Sequence, residues 1–271
     1  MRLEKLLKSL PKELKRDGEL ILAHLLRVRT ADLPLLLESE VPPEVEKKFR
    51  ELIEKRKRGT PTAYLLGEWD FYGRTFKVRE GVLIPRPETE ILVEKVLENI
   101  PEEGKKEGLE IGGGTGCIAI TLLLERPHLR MSVVEINDKA VELMEENARL
   151  HGVSERMEVL KGDMFEPVKG RSFDFIVSNP PYIPEYAWEK LPEEVRREGY
   201  SSLIGGPKGY EFYERFSLYA KDHLKEGGFV ALEIGHDQGE VVKRLLEKAG
   251  LGRIIIFKDY AGQDRVVLAW N

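Results

Sequence analysis

The positions of apolar residues divide the chain into an N-terminal helical part and a longer part of mixed character. Residues 2–10 carry leucines at helical spacing, and helical patterns continue over 19–28 and 43–58, with prolines between them. Residues 67–82 instead alternate apolar and polar side chains around a glycine, which predicts a β-hairpin. A further helix is predicted after Pro87, because two glutamates in its first turn favour a helix N-terminus.

From residue 108 onward, strand-like and helical segments alternate. Strands are predicted at 108–111, 131–135, 156–160, 173–177, 228–234, 253–257 and 265–270. Helices are predicted at 116–126, 138–151, 209–225 and 238–249. This alternation is typical of a parallel α/β sheet with crossover helices. The last two strands are too close in sequence for a helix between them, so we expect them to form an antiparallel hairpin at the sheet edge.

These patterns predict three parts of the chain. They are a helical domain at 1–58, a linker with the β-hairpin at 59–86, and the α/β domain at 87–271. Apolar residues make up 41% of the chain and charged residues 34%, and no apolar run approaches the length of about eighteen residues that a membrane-spanning helix needs. The N-terminus alternates charge with leucine, unlike a secretory signal. We therefore expect a cytoplasmic protein that does not enter a membrane.

Charge and metal-binding residues narrow the function further. The net charge of −5 argues against a protein that holds duplex DNA. Residues 1–60 are basic, with 15 Lys/Arg against 11 Asp/Glu, which suits solvated helix faces or an RNA-associated or mixed-charge protein partner. The single cysteine, Cys117, allows neither an internal disulfide nor a multi-cysteine zinc site, and the five histidines form no ligand-spaced cluster. No metal is expected.

A glycine-rich loop follows the first strand of the α/β part. Its sequence is Glu110-Ile111-Gly112-Gly113-Gly114-Thr115-Gly116, and a helix is predicted to begin at its end. Glycines allow the backbone to approach a ligand and to adopt positive φ. A dinucleotide fingerprint needs a glycine where Cys117 stands, so the spacing fits the acidic-x-G-x-G-x-G loop of class I (Rossmann-like) methyltransferases better.

Acidic residues at successive strand ends suit the ligand of such enzymes. S-adenosylmethionine carries a sulfonium, an ammonium and a ribose diol. Glu110 could attract the cationic end, Glu135 could accept the ribose hydroxyls, and Asp163 could bind the adenine amino group with Met164 against the base. All three acids lie at carboxyl ends of predicted strands, where open α/β sheets bind ligands. The sequence therefore predicts a nucleoside site.

The segment Ser178-Asn179-Pro180-Pro181-Tyr182 directly follows the fourth predicted strand. Its prolines alone would make it a rigid turn. An amide nitrogen is a poor nucleophile because its lone pair is delocalised, so a site that methylates one must orient both N–H groups. The Asn179 side-chain oxygen and the Pro180 carbonyl are suitable acceptors, and Tyr182 is a flat apolar wall. The motif indicates methylation of a planar nitrogen, in adenine, cytosine or an amide.

Three further segments carry a family resemblance. They are Gly59-Thr60-Pro61-x-x-Tyr64-Leu65-x-Gly67, Phe71-x-Gly73-x-x-Phe76-x-Val78, and Gly81-Val82-Leu83-Ile84-Pro85-Arg86-Pro87-Glu88-Thr89-Glu90. With the Asn-Pro-Pro-Tyr turn they resemble the HemK/PrmC family, the release factor glutamine methyltransferases, along nearly the whole chain. The resemblance implies an N-terminal domain that docks a class I peptide chain release factor. It also implies that the acceptor is the glutamine of that factor's Gly-Gly-Gln loop.

The resemblance also implies site residues. By position, S-adenosylmethionine would be bound by Gly112, Gly113, Gly114, Thr115, Gly116, Glu135, Asp163, Met164 and Asn179. The glutamine would be held by Asn179, Pro180, Pro181 and Tyr182, among which Asn179, Pro180 and Tyr182 would be catalytic. Two positions depart from the family pattern: Gly113 stands where the loop usually has threonine, and Gly199 stands where a proline usually follows the glutamate.

Two other functions remain open at this point. An adenine-specific nucleic-acid methyltransferase would share the turn and the glycine loop, although the chain is acidic and has no basic target-recognition segment. A non-catalytic assembly protein could use the same site structurally, although the turn and the loop are both intact. The favoured interpretation is a monomeric glutamine methyltransferase without direct DNA binding.

Overall fold

The computed structural model describes all 271 residues, which form eleven α-helices and eleven β-strands. The helices are α1 (Leu3–Lys8), α2 (Lys15–Leu26), α3 (Pro43–Lys57), α4 (Thr62–Leu66), α5 (Thr89–Asn99), α6 (Cys117–Glu125), α7 (Asp138–Leu150), α8 (Glu193–Arg196), α9 (Tyr200–Leu203), α10 (Glu211–Ser217) and α11 (Gly239–Lys248). The strands are β1 (Glu68–Phe71), β2 (Arg74–Lys77), β3 (Lys106–Ile111), β4 (Leu129–Glu135), β5 (Met157–Lys161), β6 (Phe173–Ser178), β7 (Ile183–Pro184), β8 (Ile204–Gly206), β9 (Leu224–Glu233), β10 (Gly252–Lys258) and β11 (Asp264–Trp270).

The chain divides into two compact units. The first comprises residues 1–68 together with 192–197, and the second comprises residues 69–191 and 198–271. None of the helices combines the length and the apolar character that crossing a bilayer requires.

The first unit is a small helical cluster. Its core consists of apolar residues from α1, α2, α3 and the segments between them: Leu3, Leu6, Ile21, Leu22, Ala23, Leu33, Val41, Phe49, Leu52 and Ile53. Arg56 of α3 pairs with Asp17 at 2.8 Å and with Glu194 at 2.6 Å. Because Glu194 lies on α8, the second of these ion pairs joins a segment that is distant in sequence to the first unit.

A seven-stranded sheet forms the centre of the second unit. Its strand order is β10-β11-β9-β6-β3-β4-β5, and the pairs from β9 to β5 are parallel. β11 runs antiparallel to both β9 and β10, so the last two strands form the expected hairpin with β10 at the edge. Apolar clusters cover both faces of the sheet, one with α5, α6 and α7 and the other with α10 and α11. The predicted fold class is confirmed.

The predicted β-hairpin is present but shorter than the alternating pattern. β1 and β2 are joined by Tyr72 and Gly73, both with positive φ (51° and 69°), as a two-residue turn of primed type requires. The side chain of Asn147 then bonds both the N–H and the carbonyl of Lys77, at 2.8 and 3.0 Å. Those backbone groups are therefore satisfied without a longer strand, and residues 78–82 are not β-structure.

The prediction of one helix over 209–225 was wrong. α10 covers only Glu211–Ser217, a 3-10 turn follows at Lys221–His223, and β9 begins at Leu224. Leu224 pairs with Phe173 of β6. Strand β9 therefore begins four residues before residue 228, where the pattern predicted its start. Long-range strand pairing overrides the local helical pattern.

Close packing against the sheet centre generates a stability prediction. A Cβ on Gly108 of β3 would lie 2.3 Å from Phe175 Cζ and 2.5 Å from Met131 Sδ, whereas a Cβ on Gly252 of β10 would have no atom within 4 Å. Gly108→Ala should therefore lower the free energy of unfolding by about 1–3 kcal/mol through overpacking. Gly252→Ala is the matched strand control, expected within about 0.5 kcal/mol of wild type in denaturant titrations. Equal stability of the two variants would contradict this packing.

Candidate active site

Three residues of the glycine loop between β3 and α6 have positive φ angles. Gly112, Gly114 and Gly116 have φ of 78°, 55° and 82°. A Cβ on Gly112 or Gly114 would meet no atom within 4 Å, so these two glycines face open space. A Cβ on Gly113 would lie 2.7 Å from Met144 Sδ, and one on Gly116 would lie 2.9 Å from Met144 Cγ. The loop thus presents bare backbone on one side and packs tightly on the other.

Glu135, at the end of β4, holds this loop in place. One carboxylate oxygen accepts the Gly114 N–H at 2.9 Å, and the other accepts the N–H groups of Ile136 and Asn137, both at 2.8 Å. The side chain of Asn137 caps α7 and donates to the Gly81 carbonyl at 3.0 Å. A buried carboxylate with three charge-assisted hydrogen bonds is rigidly oriented.

A cavity opens beside the loop, at the carboxyl ends of the parallel strands. Seven of the predicted site residues line it, namely Gly112, Gly114, Glu135, Asp163, Met164, Asn179 and Pro181. The lining also includes residues that the sequence had not suggested, among them Ile136, Ser201, Ser202, Phe212 and Arg215. The structure therefore brings together the glycine loop, two of the three predicted strand-end acids, and Asn179 and Pro181 of the turn.

Glu110 is not part of the cavity wall. Its side chain is fully buried, with one oxygen accepting the Ala119 N–H of α6 at 3.0 Å and the other without a partner. Burial raises the pKa of Glu110 well above its ordinary value, and the nearby Glu135 raises it further. Glu110 therefore contacts α6 and does not face the cavity. The geometry does not place its carboxyl group beside the cationic end of the ligand, as the sequence had led us to expect. Gly113, Thr115, Gly116, Pro180 and Tyr182 also lie outside the lining.

Asp163 and Met164 form the wall after β5. Asp163 pairs with Arg215 of α10 at 2.5 Å, and both side chains are partly exposed. Met164 is buried and adopts φ of 49°, which is uncommon for a residue with a side chain. Arg215 was not predicted, since no local pattern connects it to a residue 52 positions earlier.

The Asn179 amide is fixed by a chain of side chains. Its Nδ2 donates to Thr89 Oγ1 at 3.1 Å, and Thr89 Oγ1 donates to Glu233 at 2.7 Å. The Tyr182 hydroxyl donates to the other oxygen of Glu233 at 3.3 Å. Burial raises the pKa of Tyr182 above its ordinary value, so its hydroxyl keeps its proton at neutral pH. Neither Thr89 nor Glu233 was predicted, although Glu233 ends a strand, as the predicted acids do.

Two glycines and a glutamine support the same turn from behind. A Cβ on Gly205 would lie 2.5 Å from the Pro181 carbonyl oxygen, and one on Gly209 would lie 2.6 Å from that of Tyr182. The buried Gln238 donates to the Tyr182 carbonyl at 2.9 Å. Only glycine therefore fits where the backbone of the segment after α9 approaches the turn.

The departure at Gly199 has a local explanation. Glu198 is buried and accepts the Ile84 N–H at 2.9 Å and a guanidinium N–H of Arg86 at 2.5 Å. Gly199 then adopts φ of 98°, and a Cβ there would lie 3.2 Å from the Gly81 carbonyl oxygen. Proline cannot adopt that φ, so this backbone is incompatible with the proline of the family pattern. Ser201 and Ser202, which follow Gly199, line the cavity.

Comparisons with known proteins identify the family to which the chain is similar. Residues 87–193 match the family model described as methyltransferase small domain, and residues 2–67 match the PrmC N-terminal domain. The release factor glutamine methyltransferase of Aquifex aeolicus is 57% identical over 269 residues, covering 99% of this chain and 95% of the relative. That of Bacillus cereus is 41% identical, covering 93% and 91%.

A solved methyltransferase from Pyrococcus furiosus shares the fold. It superimposes with a TM-score of 0.56 at 21% identity and covers 82% of this chain and 96% of its own. Similarity at this level of identity supports the class I methyltransferase fold alone. The sequence relationships are much closer and extend over both units, and from them the chain belongs to the release factor glutamine methyltransferase family.

Proposed function

We propose that this enzyme transfers a methyl group from S-adenosylmethionine to the side-chain amide nitrogen of the glutamine in the Gly-Gly-Gln loop of class I release factors. The observation that carries the proposal is that Asn179 lines the same cavity as the glycine loop and Glu135. One cavity wall is thus suited to a nucleoside and the adjoining wall to a planar amide. We further propose that residues 1–58 dock the release factor and that the enzyme is a cytoplasmic monomer without direct DNA binding.

The residues of the cavity fit S-adenosylmethionine. The open backbone at Gly112 and Gly114 leaves room that side chains would fill. Glu135 keeps one lone pair for a ribose hydroxyl, on the oxygen that accepts only the Gly114 N–H, and Asp163 and Met164 suit the adenine. When bound, S-adenosylmethionine supplies an electrophilic methyl group on a positively charged sulfur.

The acceptor side fits an amide. Because Asn179 Nδ2 is used by Thr89, its Oδ1 is the atom left to accept an N–H of the substrate. We propose that the Pro180 carbonyl, the next backbone acceptor along the turn although Pro180 does not line the cavity, accepts the second N–H. Tyr182 supports the turn that carries both acceptors. No strong base is required, since orienting the reacting atoms can by itself lower a barrier by about 7–11 kcal/mol.

The substrate is tested with an intact class I release factor, its Gln→Ala loop variant, a short Gly-Gly-Gln peptide and DNA. With labelled S-adenosylmethionine, mass spectrometry should locate one methyl group on the glutamine amide of the intact factor. Docking should make kcat/KM for the intact factor about 100-fold higher than for the peptide, which corresponds to roughly 3 kcal/mol. Label in the DNA or in the Gln→Ala factor would refute the proposal.

The cofactor role of Glu135 is tested by calorimetry. Glu135→Ala should weaken S-adenosylmethionine binding by about 1–3 kcal/mol, because it removes charge-assisted hydrogen bonds to the ligand and releases the Gly114 N–H. The control is Glu158→Ala on the neighbouring strand β5, where the carboxylate bonds Ser132 and Arg171 away from the cavity. Equal affinity of the two variants would remove Glu135 from the site.

The acceptor role of Asn179 is tested by two substitutions. Asn179→Ala should lower kcat by about 100- to 1000-fold, by analogy with the loss of one transition-state hydrogen bond, and should change KM much less. Asn179→Asp keeps an acceptor oxygen but adds a negative charge beside the sulfonium position. It should bind S-adenosylmethionine well and methylate poorly in the same assay. Near-normal turnover in both variants would mean that Asn179 only shapes the turn.

A further inference from the structure

A buried carboxyl group that lies outside the cavity connects the two acceptor-side residues. Glu233 ends β9 and is 1% exposed. Its Oε2 accepts the Thr89 hydroxyl at 2.7 Å, and its Oε1 accepts the Tyr182 hydroxyl at 3.3 Å. Thr89, the first residue of α5, accepts from Asn179 Nδ2 in turn. One carboxyl group therefore contacts both ends of the Asn-Pro-Pro-Tyr turn, one of them through a hydroxyl.

The direction of these hydrogen bonds follows from the available protons. An ionised carboxylate has none, so Thr89 must donate its single hydroxyl proton to Glu233. The Thr89 oxygen can then only accept, and the Asn179 atom facing it must be the amide nitrogen. Asn179 Oδ1 is thereby the amide atom that remains free of Thr89, and Asn179 lines the cavity. An ionised Glu233 is therefore compatible with only one orientation of the Asn179 amide at Thr89.

We propose that Glu233 and Thr89 are positioning residues that keep Asn179 Oδ1 directed at the acceptor amide. This inference rests on the proposed function, because it concerns the amide-holding role of Asn179. A neutral Glu233 could donate its proton to Thr89, whose own proton would then be free to bond Asn179 Oδ1. The Asn179 amide would turn over and present N–H groups to the N–H groups of the substrate. Protonation of Glu233 thus makes a second, unproductive orientation of the Asn179 amide available, and kcat should be highest with the ionised form.

The surroundings of Glu233 make this ionisation sensitive to pH near neutrality. Burial raises the pKa of Glu233 to about 7, against the lowering effects of the Thr89 hydrogen bond, the Arg265 guanidinium and the Tyr182 hydroxyl. Glu88 raises this pKa further. The active form is the deprotonated one, so kcat should rise as pH increases through about 7.

The other titratable groups around Glu233 keep one charge state in this range. Arg265 is held by Asp259, whose pKa its hydrogen bonds lower, so this pair remains ionised. Tyr182 and Tyr213, whose hydroxyl bonds the Glu233 backbone carbonyl, remain protonated because burial raises their pKa values. Burial likewise raises the pKa of Cys117 on α6 to about 12. Among these groups, Glu233 is therefore the one that changes its charge near neutrality.

The first experiment observes Asn179 without any substrate. In ¹⁵N-labelled enzyme, the side-chain amide resonances of Asn179, assigned with Asn179→Asp, should shift with a midpoint near pH 7. Glu233→Gln, which cannot ionise, should abolish that transition. A wild-type Asn179 amide that does not respond to pH, or a response that persists in Glu233→Gln, would overturn the proposal.

The second experiment measures kinetics with the intact release factor. Thr89→Val keeps the shape of the side chain but removes its hydroxyl, and should lower kcat about tenfold with KM and S-adenosylmethionine affinity unchanged. Thr89→Ser should restore activity. The control is Thr121→Val, the same exchange at a buried threonine of α6 whose hydroxyl has no partner. That variant should turn over as wild type does.

The pH profile completes the test. Wild-type kcat should follow the titration of Glu233, whereas kcat of Glu233→Gln should be constant between about pH 6 and 8. Equal kcat for Thr89→Val and Thr121→Val, or an unchanged pH profile in Glu233→Gln, would refute the positioning role. If wild type methylates no release factor, the proposed function fails, while the amide titration still decides whether Glu233 orients Asn179.

Discussion

The carboxylate of Glu135 fixes three backbone N–H groups, and the shape of the cavity depends on those bonds. They join the glycine loop to the end of β4 and set the start of the segment that caps α7. The backbone carbonyl of the same residue accepts the Gly162 N–H at 3.0 Å, next to Asp163. A single residue thus fixes the relative positions of three segments that line the cavity. The same charge that suits a ribose diol also maintains the surface to which the nucleoside would bind.

The regular parts of the fold could be predicted from the sequence because their signals are local. Period-2 and period-3.6 patterns located the seven strands of the main sheet, the β1–β2 hairpin and most of the longer helices, but not the short strands β7 and β8. The short spacing of the last two strands required an antiparallel hairpin. The prediction of a helix over 209–225 was wrong because Leu224 pairs with β6, a strand that is distant in sequence. Likewise, the motif located Asn179, but its dependence on Thr89 and Glu233 involves residues separated by many positions in sequence.

Acidic residues stand at four strand ends, and three of them, Glu110, Glu135 and Asp163, were predicted as ligand contacts, whereas Glu233 was not. Glu135 and Asp163 line the cavity, whereas Glu110 and Glu233 are fully enclosed by protein. The pKa of Glu233 is raised from 4.5 to about 7, so between those values the folded chain holds a proton that the unfolded chain has lost. As pH rises from about 4.5 to about 7, the contribution of Glu233 to the free energy of unfolding therefore falls by about 3 kcal/mol. A charge buried for orientation makes the folded state less stable at the pH where it is ionised.

The N-terminal unit is not contiguous in sequence, because residues 192–197 are part of it and Arg56 uses Glu194 as a partner. A chain emerging from the ribosome usually folds its domains in order, starting from the N-terminus. Here the Arg56–Glu194 ion pair stays unmade until β3, β4, β5 and β6 of the main sheet have been synthesised. Completion of the N-terminal unit is thus coupled in time to the synthesis of the Asn-Pro-Pro-Tyr turn, which emerges just before residue 192.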